Sequence, residues 1–223
     1  MHKFFDIVGF DLDGTLFDTA VDIAAAANHA LGLAGRPALP IETLKPMIGL
    51  GGPHLLEQAL IATGGCEDGM VDRLFPDWLA YYGDNLVHDT APFPGLLDAM
   101  DALDARGVKI AIVTNKREAF AVKIVEQLGL THRFATIIGG DTMGPGNAKP
   151  SPLPIAEMIR RCGGGPAAFV GDSIYDTLAA KRAGVPSVAV SFGFLHGPVE
   201  ELEADAVIDH YDQLISALAR LAA

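Results

Sequence analysis

Runs of apolar residues without polar alternation recur along the chain and stop abruptly at polar loops. Ile7-Val8-Gly9-Phe10 ends at an acidic loop and Lys109-Ile110-Ala111-Ile112-Val113 at Thr114-Asn115. Ala167-Ala168-Phe169-Val170 ends at Gly171-Asp172, and Ser187-Val188-Ala189-Val190 at Ser191-Phe192-Gly193. A strand with one wet face alternates, so these runs predict strands buried on both faces, as in a parallel sheet covered by helices. Helix-length stretches lie between them: Glu118–Leu128, Leu153–Cys162 and Ile174–Ala183. The last opens after Ser173 and stops at Gly184 with Pro186 beyond, residue types that begin and end helices. Leu214, Leu218 and Leu221 recur at helical spacing and predict a further amphipathic helix. The alternation of strand and helix predicts a doubly wound α/β sheet.

One stretch breaks that alternation. From about Thr19 to Thr90 no strand is predicted, but Asp22–Leu33, His54–Ala62 and Met70–Asn85 read as helices. Gly32, Gly35, Pro37, Pro40 and Gly64-Gly65 punctuate them. The stretch is too long for a simple crossover and suits a small helical domain, re-entered through Pro92-Phe93-Pro94-Gly95. The expected division is a core of 1–18 and 91–223 with a helical insertion of 19–90.

Composition narrows the function classes. The 223 residues carry 16 Lys+Arg against 28 Asp+Glu, a formal net charge of −12. Such a balance argues against wholesale nucleic-acid binding, which needs a basic face. No apolar run approaches the roughly 20 residues of a membrane span. Met1-His2-Lys3-Phe4-Phe5-Asp6 reaches an acidic residue too early for a secretory signal. Cys66 and Cys162, two and widely spaced, indicate neither a disulfide framework nor a zinc cluster and read as free thiols. A cytoplasmic protein without membrane or nucleic-acid partners is expected, as monomer or homodimer.

Four polar clusters are predicted at C-terminal strand ends, where open α/β sheets place ligands. The first, Asp11-Leu12-Asp13-Gly14-Thr15, sets two carboxylates two residues apart before a sharp turn. A plain Asx turn is the alternative; an EF-hand is not, because Leu16, Phe17 and Asp18 break its spacing. The second, Thr114-Asn115-Lys116, offers a hydroxyl and backbone amides, or simply a helix cap. The third is Lys149-Pro150, a lone lysine that in isolation reads as solvated surface. The fourth, Gly171-Asp172-Ser173-Ile174-Tyr175-Asp176, spans a strand end and a helix start, where Asp is often only a cap.

Together and in this order, the four motifs resemble the haloacid dehalogenase superfamily, and in particular its phosphoglycolate phosphatase-type phosphatases. The resemblance covers nearly the whole chain. It implies a Rossmann-like core, with 19–90 as the helical cap. Gly49-Leu50-Gly51-Gly52 resembles the cap's substrate-specificity loop. Leu50, Gly51, Gly52 and His54 become candidate substrate contacts, with Lys45 near in sequence.

That resemblance implies a phosphate monoester hydrolase in which Asp11 is the nucleophile and Asp13 the acid/base, through an aspartyl-phosphate. It implies Mg²⁺, held by Asp11, the Asp13 main-chain carbonyl and Asp172 and supported by Asp176, with no other cofactor. Thr114, the Asn115 amide and Lys149 would cradle the phosphoryl oxygens. The expected partner is a small phosphorylated metabolite, first of all 2-phosphoglycolate. A β-phosphoglucomutase-like transferase, a sugar-phosphatase, a nucleotidase, a pyrophosphatase and a non-catalytic phospho-ligand-binding module are the alternatives.

Overall fold

A computed structural model describes residues 4–223. Residues 1–3, which open the stretch read against a secretory signal, lie outside the described residues. The sequence-predicted strands form with nearly the expected bounds: β1 Ile7–Phe10, β4 Lys109–Val113, β6 Ala167–Gly171 and β7 Ser187–Val190. Two more, β5 Thr136–Ile138 and β8 Ala206–Ile208, extend the sheet at its edges. The order is β5-β4-β1-β6-β7-β8, and every neighbouring pair is parallel.

Alternate strand residues face two different cores. Val8, Phe10, Ile110, Ile112, Ala168 and Val170 pack into one, beneath helices α5 (Leu96–Asp104), α6 (Glu118–Gln127) and α9 (Leu214–Leu221). Ile7, Ala111, Val113, Ala167 and Phe169 pack into the other, against α7 (Leu153–Arg161) and α8 (Ile174–Ala183). The two-sided burial explains the unbroken apolar runs. Each Val, Ile or Phe side chain among them withdrawn from water contributes roughly 1.5–3 kcal/mol.

Between β1 and α5 the chain makes four α-helices: α1 Ala20–Leu33, α2 Ile41–Leu44, α3 Gly52–Ala62 and α4 Met70–Asp84. α1 packs on α4 and α3, and their apolar faces join the first core. Two short strands flank the set, β2 Phe17–Asp18 and β3 Ala91–Pro92, paired antiparallel with Phe17 opposite Pro92. The buried Asp22 carboxylate binds the returning chain, accepting from the backbone N–H of His88 (3.1 Å), Asp89 (3.0 Å) and Thr90 (2.9 Å) and from the Thr90 hydroxyl (2.7 Å).

One expectation is corrected. Lys149 does not stand at a strand end; it lies in the connection between β5 and α7, eleven positions beyond Ile138 (149 − 138 = 11). Tertiary folding of that connection, not strand register, brings it to the sheet edge.

Candidate active site

β1 lies between β4 and β6, so the chain winds outward in opposite directions from it. That switch point opens a crevice at the carboxyl ends of the three strands. Asp11 follows Phe10 there, Thr114 follows Val113, and Asp172 follows Gly171. The Asp11 N–H still donates to the Val170 carbonyl (2.9 Å), so the ladder fixes its backbone.

Carboxylate oxygens of Asp11, Asp172 and Asp176 lie within 4.8 Å of one another, all buried. Lys149, itself 4% exposed, sets its Nζ 2.9 Å from Asp11 Oδ1 and 2.5 Å from Asp176 Oδ1. Asp176 Oδ2 accepts from the Ser173 N–H (3.0 Å) and hydroxyl (2.5 Å) at the start of α8. Both Asp176 oxygens are therefore engaged, and the residue orients Lys149. Asp172 accepts from the Thr15 hydroxyl (3.1 Å) and the Phe194 N–H (2.6 Å). Asp11 Oδ1 is buried and receives no properly angled hydrogen bond.

The electrostatics follow from the crowding. Burial pushes the Asp11 carboxyl up to about 6, against the opposing pull of Lys149. Burial, then the negative charges of Asp176 and Asp11, hold Asp172 well above the usual carboxylate range. Burial alone would lower Lys149, but Asp11 and Asp176 outweigh it and hold the ammonium up. An under-bonded buried oxygen among three close carboxylates is a donor set suited to a hard divalent cation, which prefers oxygen ligands.

Asp13 faces a different environment two residues on. Its Oδ1 accepts from the Thr19 hydroxyl (2.6 Å) and lies 3.0 Å from Lys116 Nζ. Lys116 also donates to the Tyr82 hydroxyl of α4 (2.6 Å). Sequence reading placed Lys116 in a motif without a role; its position directly after Asn115 was the available signal. Thr15 and Thr19 gave none, because neither contact has a local spacing rule.

Asp11, Asp13, Thr114 and Asn115 line one cavity of about 250 Å³, together with Leu50, Gly51 and Gly52. Ile23, Leu55, Phe75, Trp78, Leu79 and Tyr82 supply an apolar roof. Gly52 is packed so closely that a Cβ there would sit 2.7 Å from the Trp78 ring. Asn115 ties the roof down: its Nδ2 donates to the Gly49 carbonyl and to the Lys149 carbonyl, both at 3.1 Å. His196 lies 3.0 Å from the neighbouring Ile48 carbonyl. His54 sits on α3 outside the cavity lining, and the Lys45 ammonium lies over the Phe194 ring at 5.0 Å. Lys149, Asp172 and Asp176 are outside that lining but beside Asp11, and Asp172 lines a second cavity of about 220 Å³ together with His196.

A family profile described as haloacid dehalogenase-like hydrolase matches residues 8–190. The chain is 38% identical over 212 residues to a phosphoglycolate phosphatase of Agrobacterium fabrum, covering 94% of this chain and 90% of that one. To a phosphoglycolate phosphatase of Mesorhizobium japonicum it is 41% identical over 216 residues, with 96% and 94% covered. The crystal structure of a predicted phosphoglycolate phosphatase from Haemophilus somnus superimposes with a TM-score of 0.87 at 28% identity, covering 95% of this chain and 97% of that chain. With the strand-end carboxylates, the sheet order and the inserted helices all in place, the chain belongs to the haloacid dehalogenase-like hydrolase family.

Proposed function

We propose that the chain hydrolyses 2-phosphoglycolate, with Mg²⁺ and through an aspartyl-phosphate. The chain is a phosphatase enzyme, in keeping with its phosphoglycolate phosphatase relatives. The observation that carries the finer reading is the under-bonded Asp11 Oδ1, buried beside Lys149 and Asp172 at the floor of the cavity. Asp11 attacks phosphorus, and the P–O bond to the leaving group breaks as the new bond forms. Asp13, aimed from the same loop, gives its proton to the departing alkoxide and later takes one from the water that attacks phosphorus, breaking its bond to Asp11 and releasing phosphate. Thr114, the Asn115 main-chain amide and Lys149 hold the phosphoryl oxygens.

Asp11, the Asp13 main-chain carbonyl and Asp172 would hold Mg²⁺, with Asp176 acting through Lys149. When bound, the cation neutralises charge as a carboxylate meets a phosphate dianion. Residues 19–90 act as a cap over a core of 1–18 and 91–223, bending at Phe17–Ala20 and Thr90–Pro94. Among the described residues no helix is long and apolar enough to cross a membrane.

The test is turnover of a panel of phosphate monoesters, each with Mg²⁺ and with excess chelator. The expected result is the highest kcat/KM for 2-phosphoglycolate, loss of turnover with chelator, and a phosphate adduct on the Asp11 peptide after acid quench. Full turnover in chelator would refute the metal reading, and a sugar phosphate ranking first would refute the substrate.

A further inference from the structure

The cavity's charges divide unevenly between its two walls. Every residue that 19–90 contributes to the lining is uncharged, and the polar side-chain groups among them are the Trp78 indole N–H, buried without a partner, and the Tyr82 hydroxyl, whose oxygen accepts from Lys116. Charged side chains come only from the core: Asp11, Asp13, Lys116 and Arg117. Lys116 is committed to Asp13, and Lys149, outside the lining, to Asp11 and Asp176. Arg117 is thus, among the described residues, the one cation lining the cavity with no carboxylate partner. It is solvent-exposed and opens α6, directly after the Thr114-Asn115 loop.

We propose that Arg117 is the residue that recognises the carboxylate of the substrate's leaving group. The proposal rests on the phosphoglycolate reading and deepens it: charge is read by the core, while the cap offers an uncharged lining. The physical argument is one of supply. A substrate carboxylate entering an apolar-roofed cavity loses water and needs a counter-charge. Lys116 and Lys149 are neutralised by aspartates, Lys45 lies over the Phe194 ring outside the lining, and a planar guanidinium with several donors matches a carboxylate well. Arg117 stands one residue beyond Lys116, at the rim of the loop that holds the phosphoryl group. A bifunctional anion with its charges a few bonds apart is then gripped at both ends.

The experiment compares 2-phosphoglycolate with ethyl phosphate, which keeps the length and lacks the carboxylate, in the wild type and in R117Q, R117K and R117E. The wild type is expected to prefer 2-phosphoglycolate. In R117Q the kcat/KM ratio of the two substrates should fall about 10- to 100-fold, the range for a hydrogen-bonded charge, with the loss in KM. R117K should recover part of the ratio. R117E should turn selectivity toward 2-aminoethyl phosphate, whose ammonium replaces the carboxylate. A wild-type preference that survives in R117Q overturns the Arg117 assignment and leaves the Gly49–Gly52 backbone N–H groups as the readers. A wild type indifferent to the carboxylate overturns the phosphoglycolate reading and the role of Arg117 with it. The two failures are distinguished by the wild-type ratio alone.

Discussion

Lys116 Nζ lies 3.0 Å from Asp13 Oδ1 with both side chains largely withdrawn from solvent. The same ammonium bonds the Tyr82 hydroxyl at 2.6 Å, so one core residue joins the proposed acid/base to a helix of the inserted segment. Lys116→Met removes that joint and leaves Asp13 held by Thr19 alone. The expected outcome is a kcat reduced about tenfold or more, with a smaller change in KM, since misplacing an acid/base forfeits part of its 10²–10⁴-fold contribution. Steady-state kinetics on an aliphatic phosphate checks it; an unaltered kcat would dissociate Lys116 from Asp13 function.

The two carboxylates of the first motif are separated by their leaving-group dependence. Asp11→Asn should show neither burst nor turnover with any substrate. Asp13→Asn should stall on aliphatic phosphates, whose alkoxides need a proton, yet release up to about one phenolate per enzyme from p-nitrophenyl phosphate before slowing. Rapid-mixing absorbance measurements read both phases. Near-normal turnover of both substrates by Asp13→Asn would remove its acid/base role.

Asp11, with a carboxyl at about 6 against an ordinary 3.8, and Asp172, shifted the same way, retain protons in the fold that the unfolded chain has released. A raised carboxyl contributes stability below its unfolded value and loses it as pH rises through the folded one. Cation-free protein should therefore lose stability as pH rises from about 4 through about 6. A cation bound to the ionised carboxylates offsets that loss, so the Tm gain from saturating Mg²⁺ should be larger at pH about 8 than at pH about 5. Thermal melts at both values, with Mg²⁺ and with chelator, test this. Equal gains would show that these carboxylates do not bind the ion.

Gly14 has φ +77° and packs so that a Cβ would lie 2.2 Å from Asp172 Oδ2. Gly35 has φ +67° with nothing within 4 Å of a Cβ. Gly35→Ala should cost about 1 kcal/mol, from the left-handed backbone alone. Gly14→Ala should cost more and also displace a proposed metal ligand, weakening the activating Mg²⁺ concentration at least tenfold. Denaturant melts and a Mg²⁺ titration of activity separate the two variants. Matching behaviour would show that the Asp172 contact is unimportant.

How much of this was legible depends on how local each determinant is. β1, β4, β6 and β7 could be read because both faces are buried and their composition is unmixed. β5 and β8 could not, because three-residue edge strands with Thr136, Ile137 and Val207 half-buried or exposed carry too little pattern. Asp11, Asp13, Thr114 and Asp172 were readable as strand-end residues. Lys149 was not, since ten irregular residues separate it from β5, and only resemblance assigned it a place. The Lys116–Tyr82 bond joins residues 34 positions apart. Asp22 looked like one more acid early in a helix, yet its hydrogen-bond partners lie 66 to 68 positions later. Such pairings exist only after the chain has folded back on itself.

β2 and β3 amount to two residues each, with Phe17 beside Pro92 and Asp18 beside Ala91, and the Phe93 N–H adds a bond of 3.1 Å to the Leu16 carbonyl. The chain therefore departs from the core and comes back at neighbouring points. Any excursion with adjacent ends can be grafted at such a junction without moving the strands on either side, because doubling its length adds only about 0.6 kcal/mol of closure entropy. The junction works as a socket: the strands on either side are indifferent to the length of what is plugged in, and the plugged-in segment, apart from its contacts to Asp13, Lys116 and Asn115, is free to diverge in size and lining. Exchange at this point would let one hydrolytic apparatus serve leaving groups of many shapes.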